Sequence, residues 1–142
     1  MTILDSEFVN HILKTSKINL GIIYFFEHIA IIEFNEGVHI DINNASEIIE
    51  ELNAFFGPSK PYGVIANRIN SYSVKLLDAK LILYQAKNLC AYAVVGHNSA
   101  SKMNAEIENM FCNATKINYD NIYEAISSVN SRVKETIIIP LN

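Results

Sequence analysis

Residues 89–95 read Leu-Cys-Ala-Tyr-Ala-Val-Val, an apolar run without any polar–apolar alternation, and Gly96 closes it. A strand with one face in water alternates, whereas an unbroken run needs cover on both faces, as central strands of parallel sheets have. A chain that must bury such a strand has to place helices over a sheet. The rest of the sequence supplies them.

Residues 20–26 and 29–34 are β-branched and aromatic runs separated by Glu27-His28, which predicts an antiparallel hairpin. Asn35-Glu36-Gly37 is a second turn in which Gly37 supplies a positive φ, and residues 38–40 return as a short strand. Ile42, Ala45, Ile48, Ile49, Leu52, Phe55 and Phe56 share one helical face, with Asp41 as N-cap and Gly57-Pro58 as terminator. A strand over 62–67 and a helix over 74–86 follow, the helix with a wide apolar surface: Val74, Leu76, Leu77, Leu81, Leu83 and Tyr84. Ser99 caps a third expected helix through Met103, Ile107, Met110 and Ala114. Residues 115–119 form a short strand, and Asp120 caps a last helix carrying Ile122, Ala125, Ile126, Val129 and Val133. The expected fold class is α/β, a mixed β-sheet covered by four helices.

At 142 residues, half of them hydrophobic, the chain can close one domain core without disulfides or metal. Cys90 and Cys112 lack Cys-x-x-Cys spacing, and Cys90 reads as a core thiol. The net charge is −4 and only Arg68 and Arg132 are arginines, so no basic cluster offers a nucleic-acid surface. The first residues carry acids where a signal peptide carries lysines, and no apolar run approaches the roughly 18 residues of a transmembrane segment. A cytoplasmic location is expected.

The four histidines, His11, His28, His39 and His97, have no metal-ligand spacing; a His28–His39–Asp41 group across the hairpin lacks a fourth ligand. The five glycines form no phosphate-binding or nucleophile-elbow pattern, so no cofactor is expected. Glu47, Glu50 and Glu51 read as the solvated side of the first helix. One segment, Gly96-His97-Asn98-Ser99, joins a buried strand to a helix start, where backbone amides and the helix dipole can hold an anion.

Four stretches together resemble the SpoIIAA-like domains of bacteria, part of the wider STAS and SEC14 group. They are Gly37-Val38-His39-Ile40-Asp41-Ile42, Tyr62-Gly63-Val64-Ile65-Ala66, Ala91-Tyr92-Ala93-Val94-Val95 before a helix with Asn109-Met110-Phe111, and residues 119–126. The resemblance covers roughly residues 18–130, leaving 1–17 as an N-terminal appendage, 18–134 as the domain and 135–142 as an apolar tail. It implies a non-catalytic interaction or regulatory module with a regulatory protein partner, and it places the contact surface at the loop Asn67, Arg68, Ser71, Ser73. The family's phosphorylatable Asp-Ser-Ser-Gly loop is replaced there, so its phosphoswitch is not carried over. Ser73 or Ser71 is expected to cap the following helix, with Arg68 nearby to meet a phosphate.

The competing class is a small-molecule or lipid carrier, or a small enzyme, using His97 with Ser71 or Ser73 at the strand carboxyl ends. No nucleophile, base and orienting group can be assigned together, which favours the non-enzymatic reading. The apolar surface of 74–86 and the tail at 137–141 predict a homodimer.

Overall fold

The computed structural model describes residues 1–96 and 117–138, without the side chain of Ile138. After two short 3-10 turns, β1 (Lys14–Ile18), β2 (Gly21–Phe25) and β3 (Ile29–Phe34) form an antiparallel meander. The hairpin expected around Glu27-His28 is β2–β3. Strand β1 was expected to lie in an appendage, but it pairs with β2 along its full length and forms one edge of the sheet. Its Lys14 and Lys17 are exposed, and lysines on an edge discourage pairing with another chain. The first residues are also part of the body: Ile3 is fully buried in the core.

The remaining elements are β4 (His39–Ile40), α1 (Ser46–Phe56), β5 (Tyr62–Asn67), β6 (Ser73–Val74), α2 (Ala79–Gln85), β7 (Leu89–Val95), β8 (Asn118–Tyr119) and α3 (Ile122–Ile138). The main sheet has the order β1-β2-β3-β5-β7-β8, parallel from β3 onward, and β4 and β6 pair in a separate parallel ribbon. Strands β3 and β5 are buried along their whole length because both sheet faces are covered. Ala30, Ile32, Phe34, Val64, Ala66 and Val94 face α1 and α2, while Ile31, Ile65, Ala91, Ala93 and Val95 face α3. Residues 89–95 thus form an internal strand, as their unbroken apolar run requires. A bulge at Cys90 lets Tyr62 pair with Leu89 and Gly63 with Ala91.

Close approach sets the position of α3. A Cβ added at Gly63 would lie 2.2 Å from a Val129 methyl, so only glycine lets this helix sit so near β5. Gly37 takes φ 79° in the turn between β3 and β4, the left-handed conformation that turn requires.

Three expectations need correction. Asp41 does not sit at the start of α1; its carboxylate accepts from the Asn43 and Asn44 amides while Asn44 Oδ1 accepts from the Asp41 amide. That reciprocal box caps a turn over 42–45, and α1 follows from Ser46. The single helix expected over 74–86 is broken. Lys75 N donates to Ile40 O and Ser73 N to Val38 O, so β6 takes up these amides as a strand, a 3-10 turn follows, and α2 begins at Ala79. Finally, Asn121 rather than Asp120 caps the last helix, its Oδ1 accepting from Glu124 N at 2.9 Å. The third expected helix and its Ser99 cap, with Cys112, lie outside the described residues.

Candidate functional site

Strand β5 ends at Asn67, and the chain then crosses the sheet end through Arg68–Tyr72 to β6. Asn67 is buried, and its amide donates to Glu33 Oε2 at 2.7 Å and to the Met1 carbonyl at 2.9 Å. Glu33, also buried, accepts in addition from Ile3 N at 2.7 Å and Thr2 Oγ1 at 2.6 Å. This pair latches the first residues of the chain onto the sheet. Asn67 therefore has a holding role, and its amide hydrogens are already engaged.

Arg68 is likewise occupied. Its Nη2 donates to the Tyr72 carbonyl at 2.6 Å and its guanidinium lies 4.4 Å from the centre of the Tyr72 ring. The loop is fastened to the β3–β4 turn by Asn70 Nδ2 on Phe34 O, Ser71 N on Glu36 Oε2 and Gly37 N on Ser71 O. Ser71 is exposed, but a phosphate on it would meet the Glu36 carboxylate that already holds its amide. Ser73 is not a helix cap: it lies in β6 and its Oγ is 2.7 Å from His39 Nδ1. His97, Asn98 and Ser99 lie outside the described residues.

His28 and His39 sit beyond opposite ends of β3, so the fold does not bring them together. Glu47 anchors Asn19 N through Oε1. Cys90 is half-buried, and its thiol donates to the Tyr62 carbonyl at 3.4 Å; burial raises its pKa, which keeps it protonated and a poor nucleophile.

Beneath the loop, between the sheet, α1 and α2, lies a cavity of about 90 Å³. Its floor includes Ile32, Val64 and Ala66, with Ile48 and Ile82 from the two helices. Among its described lining residues Tyr72 and Tyr92 supply the only side-chain hydroxyls, and none of those residues is charged. The Tyr72 hydroxyl is buried without a hydrogen-bond partner among the described residues. Burial raises the pKa of Tyr72 against the pull of Arg68; burial also raises Tyr92, with Tyr72 adding to it.

Sequence reasoning missed Glu33, Tyr72 and Tyr92. One signal was legible for Glu33: it is the lone acid in Ile-Ala-Ile-Ile-Glu-Phe, and a charge inside a buried strand needs partners. Nothing in the sequence marked Tyr72, whose place depends on the loop folding back over β3.

The polar side chains of the loop hold it and the first residues of the chain in place. The hydroxyls, thiol and carboxylates described form no nucleophile–base–orienter group, and no group of three potential metal ligands occurs among the described residues. The strand order β3-β5-β7-β8 runs in one direction with α1 and α2 on one face, so the described strands have no switch point of the kind that opens a ligand crevice in α/β sheets. No helix among the described residues is long and apolar enough to cross a membrane. The chain matches no family model, no curated protein and no solved structure.

Proposed function

We propose that the chain is a non-catalytic interaction module of the STAS-like type, with its contact surface on the outer side of residues 76–84 and the rigid loop 67–73 leading into it. The observation that carries this reading is the two-sided character of α2. Ala79 and Ala86 are buried, whereas Leu77, Leu81 and Tyr84 are 83%, 54% and 70% exposed. Adjacent large apolar groups in water are what an unfilled contact surface presents. The loop suits a recognition role because its backbone is pinned to the β3–β4 turn, so little order is lost on contact.

The partner we assign is a second copy, which leaves the loop free to meet a regulatory protein. Light scattering of the full chain at high micromolar concentration should give twice 16.0 kDa, and Leu81→Asp with Tyr84→Ser should return it to 16.0 kDa. A wild-type mass of 16.0 kDa throughout would overturn the dimer.

A further inference from the structure

We infer that the cavity between the sheet, α1 and α2 is a binding site for a small neutral molecule with an apolar body and one hydrogen-bonding oxygen, such as a short-chain alcohol or ketone. This does not rest on the contact surface proposed above, because Leu77, Leu81 and Tyr84 do not line the cavity.

Three features define the ligand. The described lining residues are apolar apart from two tyrosines, so the body must be apolar. No charged side chain among the described residues lines the cavity, and a charged ligand would stand unpaired against them in a low-dielectric site. The single oxygen follows from Tyr72: the residue is 7% exposed and its hydroxyl has no partner among the described residues, a state that native proteins rarely leave unsatisfied. Its ring is held from two sides, tilted on Phe34 with centroids 4.7 Å apart and covered by the Arg68 guanidinium at 4.4 Å. A ligand oxygen would therefore find the donor already placed.

Size narrows the class further. About 90 Å³ has room for roughly three water-sized groups, well below the ~150 Å³ cavity that holds benzene. A short alkyl body fits, and the two chains of a phospholipid do not.

The probes are the straight-chain alcohols from ethanol to 1-octanol, titrated into the full chain while the amide resonances of Ala66 and Ala79 are followed. Binding should saturate, and affinity should rise about fourfold per methylene and then stop rising once the cavity is full. Tyr72→Phe should weaken the alcohols at least fivefold and leave xenon, which needs no hydrogen bond, bound as before. Ala79→Leu should fill the space and block both probes; if it fails to fold, Tyr72→Phe carries the decision, since it removes one oxygen. Absence of saturable shifts overturns the proposal. So does affinity that climbs to 1-octanol without a limit, which would mean partition onto the exposed side of α2, or alcohol binding by Tyr72→Phe equal to wild type.

Discussion

Glu33 shows how one residue can fasten two distant parts of the chain. Its carboxylate, buried at the end of β3, gathers Thr2, Ile3 and Asn67, and no cation among the described residues takes part. A buried carboxylate is tolerated only with such a full set of donors. Glu33→Ala leaves the Ile3 amide and one of the two Asn67 amide hydrogens without an acceptor in the interior, while Asn67 keeps its bond to the Met1 carbonyl, and each orphaned buried donor costs about 1–3 kcal/mol. The expected loss is therefore about 3 kcal/mol or more in urea denaturation, with faster hydrogen exchange at the Ile3 amide. A loss under about 1 kcal/mol, within the range of an ordinary surface bond, would mean that the latch contributes little. At the same scale, Ser73 contacts an exposed histidine instead of helix amides, so its removal does not carry the cost of a lost cap.

At the scale of elements, β7 and α2 are opposites. Strand β7 is held between two layers, with Val94 and Ala93 buried toward opposite faces. Val94→Asp would place an unpaired charge beside Ala66 in that apolar interior, with an expected cost of several kcal/mol. Thermal or chemical denaturation checks it; a variant within about 1 kcal/mol of wild type would contradict internal placement of the strand. Helix α2 is short and covered on its inner side alone among the described residues, and its start is set by a strand pairing instead of by its own sequence. Asp78, just before it, is buried and accepts from Ile42 N at 2.9 Å, tying the start of α2 to the turn ahead of α1. The periodicity of 74–86 carries the apolar pattern and hides the break, because β4 competes for the amides of Ser73 and Lys75.

For the molecule as a whole, alkaline pH is the informative variable. Tyr24, Tyr62, Tyr72 and Tyr92 all have raised pKa values, in each case chiefly from burial, and Tyr62 is pushed up to about 12. Cys90 beside Tyr62 adds to that rise. In the unfolded chain tyrosine ionises near pH 10. Above that pH the unfolded state binds fewer protons than the folded one, so stability is complete below pH 10 and falls as pH rises. Tyr62 alone should cost about 3 kcal/mol between pH 10 and about 12. Urea midpoints measured across that window should fall steeply, and Tyr62→Phe should make the fall shallower. Its hydroxyl has no partner among the described residues, so that variant should be at least as stable as wild type at neutral pH. An alkaline slope equal in the two proteins would remove Tyr62 from this account.

By itself the sequence determined what local chemistry determines. The run at 89–95 required a strand covered on both faces, the β2–β3 hairpin followed from two β-branched runs around Glu27-His28, and Tyr62–Asn67 was legible as a strand to the residue. Those signals lie within a few residues of one another, where side-chain period and turn chemistry act. The tertiary structure decided what depends on distant partners. It put Lys14–Ile18 at the sheet edge, broke the 74–86 helix by pairing β6 with β4, and engaged Asn67 and Arg68. It also formed a cavity beside Tyr72, whose hydroxyl has no partner among the described residues. Glu33 and Asn67 are 34 positions apart, and no pattern along the chain states that two such residues will meet; packing across the sheet brings them together.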